Sequence, residues 1–231
     1  MTPTAPLPEG EAKVRAVRSM FDAIAPRYDL LNTLLTFGMD RGWRKQAVAA
    51  LELGKGASVL DVACGPGELC AVLAGAGLRP VGIDLSKGML DHARTDAPLV
   101  HGDGLHLPFA AGSLDGAVSG FALRNVADLP TLWAELGRVV RPGGRIALLE
   151  VAEPEIKLLK AGHAVYFGKV VPRVGALLSD GAAYAYLPRS VAYLPAPEEM
   201  LEQLRGAGFD DVRRRLLSFG ISQLITATRA R

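Results

Sequence analysis

Val59-Leu60-Asp61-Val62-Ala63-Cys64-Gly65-Pro66-Gly67-Glu68 decides the fold. An apolar run carrying one acid enters a Gly-Pro-Gly turn, and Glu68 to Ala74 continue as a helix, so a buried strand feeds a glycine turn and then a helix. The pattern repeats outward from there. Strands are expected at Ser58–Ala63, Arg79–Ile83, Leu99–His101, Ser113–Ser119 and Gly144–Val151, with helices at Lys87–Thr95, Leu129–Val140 and Pro197–Gly206. Asp211–Leu217 and Ser222–Thr228 read as a closing hairpin around Gly220. This order predicts a doubly wound α/β fold, a mostly parallel seven-stranded sheet with helices on both faces. Upstream, Val14, Val17, Met20, Phe21 and Ile24 recur at helical spacing over Glu11–Ile24. A second helix, Asp40–Leu51, sets Trp43, Ala47, Val48 and Leu51 on one face and Arg41, Arg44 and Lys45 elsewhere.

The 231 residues suffice for one domain with a full core. We read residues 1–10 as a tail and 11–231 as the domain, in which 11–52 form a helical cap and 153–194 a covering segment after the fifth strand. With 26 Lys+Arg against 24 Asp+Glu the formal charge is +2, which argues against a nucleic-acid backbone as partner. The two cysteines, Cys64 and Cys70, flank the glycine turn and are expected as reduced thiols in a cytoplasmic protein. No uncharged apolar run reaches 18 residues and no signal-peptide pattern opens the chain, so a spanning or exported protein is not expected.

The glycines of the turn admit a ligand against the backbone, and the first turn of the following helix offers free N–H groups. Asp84 closes the next strand twenty-three residues after Asp61, near the spacing at which an acid bonds the hydroxyls of a ribose. A nucleoside-containing cofactor follows. Position 70, where a dinucleotide fingerprint needs its third glycine, is Cys70, which favours S-adenosylmethionine over NAD. Asp103, between Gly102 and Gly104, falls after the third strand and is placed either to bond an adenine amino group or to make an Asx turn.

Asp61-Val62-Ala63-Cys64-Gly65-Pro66-Gly67 with Asp84 and Gly102-Asp103 resembles the class I S-adenosylmethionine-dependent methyltransferases, whose fold is Rossmann-like. Met20 to Asn32 running on to Gly42-Trp43-Arg44, then Phe121-Ala122-Leu123-Arg124-Asn125, then Arg141 to Arg145 with Leu149-Glu150, resemble the C-methyltransferases of menaquinone and ubiquinone biosynthesis. A looser match is Tyr186 to Val191 with Gly208-Phe209. Two positions depart: Pro66 stands where the family usually has Thr, and Gly120 where Ser is common. The resemblance implies a cofactor held by Asp61, Ala63, Gly65, Pro66, Gly67, Asp84, Leu85, Asp103, Gly104 and Gly120. It implies acceptor chemistry at Arg124, Asn125, Tyr28 and Asp29.

The implied reaction is C-methylation of demethylmenaquinol, with a polyprenyl benzoquinol, or O- or N-methylation of another small molecule, as alternatives, and a non-catalytic cofactor-binding scaffold as the reading from another class. Arg124 remains protonated at any relevant pH, so it is expected either to stabilise a developing phenolate or to hold its loop to Asp128 or a helix end. His101 and His106 bracket the Asp103 loop and His92 lies within a helix; none is assigned a role, and no metal is expected. Lys157 to Arg173 alternates apolar and basic residues, which suits either a packed surface helix or a peripheral contact with a membrane surface. Apolar residues at Phe167 to Leu178 suit a homodimer contact.

Overall fold

A computed structural model describes residues 8–28, 32–33, 36–154 and 189–231. The basic stretch 157–173, the dimer segment 167–178 and Asp29 lie outside the described residues. Helices α1 (Gly10–Ile24) and α2 (Met39–Ala50) precede strand β1 (Ser58–Val62), α3 (Glu68–Gly75), β2 (Arg79–Asp84), α4 (Lys87–Asp91), β3 (Leu99–His101) and β4 (Leu114–Gly120). Then come α5 (Leu129–Val139), β5 (Val140–Val151), α6 (Pro197–Gly206), β6 (Phe209–Leu217) and β7 (Ser222–Arg229). The sheet runs β3-β2-β1-β4-β5-β7-β6, with β7 antiparallel to both of its neighbours and every other pairing parallel. That is the expected doubly wound architecture.

Strand alternation sends successive side chains to opposite faces, and both faces here are covered by helices. Leu60 and Val62 of β1, Ile146 and Leu148 of β5 and Ile225 of β7 join Trp133, Leu132 and Leu136 of α5 and Met200 and Leu204 of α6. Val59, Ala147, Leu149 and Leu224 instead meet Trp43, Ala47, Val48, Leu51, Leu69 and Leu73 of α2 and α3. Each fully buried large apolar side chain contributes about 1.5–3 kcal/mol. The expected face of α2 is therefore the packed one, but Arg44 is not on a solvated side: it is buried and ion-paired to Asp40 and Glu68.

Two element boundaries differ from expectation by four residues. Helix α4 stops at Asp91, not Thr95, so His92 caps it, its Nδ1 lying 2.8 Å from Gly88 O, which accepts from it. The four residues beyond are spent on the glycine turn: Arg94 N–H donates to Pro66 O at 2.9 Å, and Thr95 packs on Gly67. Strand β5 begins at Val140, so the expected Arg-Pro-Gly-Gly turn is a bulge within it: Leu114 pairs with Val140 while Gly116 pairs with Arg145.

Close approach of β4 to β5 depends on Gly116, where a Cβ would lie 2.6 Å from Arg145 O and 2.9 Å from Leu53 Cδ1. Gly116→Ala is expected to lower the unfolding free energy by about 2 kcal/mol. In the same urea titrations Gly54→Ala, whose Cβ meets nothing within 4 Å, is expected to move it by less than about 0.5 kcal/mol; equal effects would contradict this packing.

Candidate active site

Strand β1 ends at Val62 and the chain turns through Ala63 (φ +55°), Gly65 (φ +55°) and Gly67 (φ +87°) into α3. The turn is held from β2. Gly65 N–H donates to Asp84 Oδ2 at 2.7 Å, and Ser86 N–H donates to Asp84 Oδ1 at 2.7 Å. Burial raises the Asp84 carboxyl above its ordinary value against these two bonds, which favour the charge. Each carboxylate oxygen retains lone-pair capacity for a hydroxyl, so the group is fixed in orientation and still able to accept. Gly67 has a different reason from the one the sequence suggested: a Cβ there would lie 2.4 Å from Thr95 Cγ2, so it makes room for protein, not ligand.

A cleft with a cavity volume of about 120 Å³ opens at the carboxyl ends of β1, β2 and β4, where open α/β sheets bind ligands. Of the named residues, Ala63, Gly65, Asp84, Leu85, Asp103, Gly104, Gly120, Tyr28 and Asn125 line it. Asp61, Pro66, Gly67 and Arg124 do not. Asp103 makes the Asx turn: its Oδ1 accepts from Leu105 N–H at 2.9 Å, with His106 Nδ1 3.9 Å from Oδ2. His101 Nε2 lies 3.1 Å from Leu85 O, and His106 is exposed. Among the described residues no group of His, Cys, Asp and Glu is placed to hold a metal ion.

The opposite wall is apolar. Val14, Val17 and Phe21 of α1 face Phe121 and Val126, and Tyr28 stands edge-on to Phe21 with ring centroids 6.0 Å apart. Burial raises the Tyr28 hydroxyl above its ordinary value, against a bond to Asn32 and the nearby Arg44 and Arg124 cations, so it is a neutral phenol at neutral pH. Phe121, like Ala63, lines the cleft in a left-handed conformation (φ +60°), strain that the surrounding contacts hold in place. Arg124 is turned away from the cavity onto Glu150, with a second bond from Nη1 to Phe121 O at 2.8 Å. Neither Asp128 nor a helix end is its partner. Glu150 also accepts from Arg124 N–H at 3.1 Å, so this fully buried acid pins the Leu123–Asn125 turn and sets Asn125 at the cavity wall.

The residues missed by sequence reasoning are Ser86, Glu150 and Lys13. Lys13 is buried; its Nζ donates to Val126 O at 2.6 Å and lies 3.7 Å from the centre of the Tyr193 ring, and burial lowers it to about 8. Only Glu150 left a trace, in the Leu149-Glu150 pair that carries part of the resemblance.

Asp61 stands on the α3 face of the sheet, since Leu60 and Val62 occupy the other. It is fully buried under the turn, its Oδ2 accepting from the Cys70 thiol at 3.4 Å and its Oδ1 bonded to nothing among the described residues. Burial raises it from 3.8 to about 7, with Asp84 nearby adding to the rise and Cys70 and Arg44 opposing it. A raised acid destabilises the fold only where the unfolded chain ionises and the folded one resists. The cost is absent below about pH 4, grows to about pH 7 and is constant above. Asp61→Asn removes it, so the variant's advantage over the parent in unfolding free energy should be about 2 to 3 kcal/mol larger at pH 8 than at pH 5. A difference independent of pH would contradict the assignment.

The sequence profile of the ubiE/COQ5 methyltransferase family matches residues 9–229. The ubiquinone/menaquinone biosynthesis C-methyltransferase UbiE of Syntrophotalea carbinolica is 42% identical over 222 residues, 92% of this chain and 94% of that one. The demethylmenaquinone methyltransferase of Deinococcus radiodurans is 42% identical over 227 residues, covering 94% of each chain. Among solved structures, a chain of the Haloferax volcanii complex between the Trm112 methyltransferase activator and a methyltransferase superposes with a TM-score of 0.67 at 20% identity. It covers 91% of this chain and 98% of that one, a likeness of fold. Strand order, cleft and a match along nearly the full length agree: the chain belongs to the ubiE/COQ5 methyltransferase family.

Proposed function

We propose that this protein transfers the methyl group of S-adenosylmethionine to a ring carbon of demethylmenaquinol. The observation that carries the reading is a single cleft with an oriented carboxylate at one end, Asp84 held by Gly65 and Ser86, and an apolar wall at the other. The polar end suits a ribose and the glycine turn a ligand in backbone contact.

When bound, S-adenosylmethionine supplies an electrophilic methyl and its own leaving group. The chain's residues orient and exclude water. Asp84 accepts from the ribose hydroxyls, with Gly65, Leu85 and Gly104 against the nucleoside. Val14, Val17, Phe21 and Phe121 enclose an aromatic ring and keep solvent from it. Asn125 is the polar group we assign to the acceptor's hydroxyl, and Tyr28, neutral at working pH, acts as a donor and not as a base. Arg124 acts through the turn: paired with Glu150, it fixes the 123–125 backbone and places its charge behind the site.

The names of the relatives favour a quinol acceptor, and that of the Syntrophotalea carbinolica relative extends it to a benzoquinol. An acceptor with a polyprenyl tail is met at a bilayer. No helix among the described residues is long and apolar enough to cross a membrane. At the carboxyl edge of the sheet, however, Phe219 in the β6–β7 turn is 84% exposed and Phe37 before α2 is 75% exposed. Trp43 Nε1 of α2 donates to Ser218 Oγ at 2.8 Å and ties the helix to the β6–β7 turn. This aromatic edge supports peripheral contact with a membrane surface.

Incubation of the protein with S-adenosylmethionine and chemically reduced demethylmenaquinone in detergent should give menaquinol and S-adenosylhomocysteine in equal amounts, and the oxidised quinone should give neither. Release of S-adenosylhomocysteine with phenols or amines but with neither quinol would refute the reading. Asn125→Ala should lower kcat by about a hundredfold while leaving S-adenosylhomocysteine binding within about twofold.

A further inference from the structure

We propose that Asp22 is a positioning residue for cofactor binding: from helix α1 it fixes Ser86 and the start of α4, and through them the orientation of the Asp84 carboxylate. The inference rests on the proposed role of Asp84 and adds the residue that sets it.

Asp22 does not itself line the cleft, but Ser86, which it bonds, does. Its Oδ1 accepts from Ser86 Oγ at 2.6 Å and from Gly88 N–H at 2.9 Å, bridging sixty-four and sixty-six residues of chain. Ser86 is thereby fully committed. Its hydroxyl donates to Asp22 and accepts from Met89 N–H at 3.1 Å, capping α4, while its backbone N–H donates to Asp84 Oδ1. The approach is close enough that the sequence must supply glycine: a Cβ at Gly88 would lie 2.9 Å from Asp22 Cα. A helix merely resting on the domain would not need that contact.

The same helix forms the acceptor-side wall. Val14, Val17 and Phe21 line the cleft, as does Arg18, whose Nε lies 3.9 Å from Asp22 Oδ2. At its other half Lys13 Nζ donates to Val126 O, in the turn that carries Asn125. Helix α1 is thus pinned at Asp22 to the ribose end and at Lys13 to the acceptor end. Of the two, Asp22 acts on the atom pair that orients the ribose acid, because Ser86 belongs to both hydrogen-bond sets. A shift of α1 at Asp22 moves Ser86, and Asp84 then keeps only the Gly65 bond in its present geometry. The stretch Met20 to Asn32 therefore serves the cofactor as well as the acceptor.

Calorimetric titration of S-adenosylhomocysteine into the full-length parent, Asp22→Ala and Asp22→Asn separates this from a purely structural role. Asp22→Ala is expected to weaken binding about tenfold. Asp22→Asn, whose amide oxygen still accepts from Ser86 and Gly88, should restore it to within about threefold. Equal affinity for Asp22→Ala and parent would overturn the proposal. So would an Asp22→Asn as weak as Asp22→Ala, which would mean that charge or packing, not the acceptor geometry, is what matters. Failure of the parent itself to bind would instead refute the cofactor reading.

Discussion

The site depends on one small piece of bonding: the Asp84 carboxylate receives an N–H from Gly65 on one oxygen and an N–H from Ser86 on the other. With Cys64 N–H donating to Ile83 O at 3.0 Å, these bonds tie the turn after β1 to the end of β2. They also hold an acid at a buried strand end, where burial alone works against its charge. An acid so placed serves a ligand bearing paired hydroxyls. The glycine turn, the short helix α4 and the docking of α1 are all arranged around it.

The other half of the cleft is built on a second buried charge. Glu150, at the end of β5, holds the guanidinium and the backbone N–H of Arg124, and the 3-10 turn at Leu123–Asn125 is fixed as a result. Leaving either partner alone in that interior would cost several kcal/mol, roughly 3 to 5. The pair therefore behaves as a bracket that presents Asn125, and the arginine's charge is compensated within the protein. Helix α1 roofs both halves, so cofactor and acceptor share one wall.

Much of this was legible in the sequence because it rests on local pattern. Apolar runs punctuated by glycine turns gave the strand and helix order, and Asp84 and Gly104 announced themselves by falling just past strand ends. What escaped depends on direction. Asp61 was grouped with Asp84 and Asp103, but alternation along β1 sends it under the turn to Cys70, on the face away from the cleft. Gly67 is glycine because Thr95 crowds it, a contact from beyond α4. Arg44 looks like a polar-face residue by spacing, and only tertiary packing against Asp40 and Glu68 buries it. Arg124 was expected to have a loop partner, whereas its partner stands twenty-six residues on, in the next strand. Sequence spacing reports which residues share an element; it does not report which of them turn toward the ligand.

Removal of the Asp84 side chain tests the account most directly. Titration of S-adenosylhomocysteine into Asp84→Ala, after its urea unfolding has been seen to remain cooperative, should show affinity reduced by at least about thirtyfold relative to the parent, the loss of a charge-assisted bond pair. Asp103→Ala, whose carboxylate is occupied by its own Asx turn, should lose no more than about fivefold by the same conversion. An Asp84→Ala protein that binds as tightly as the parent would contradict the placement of the cofactor and everything built on it.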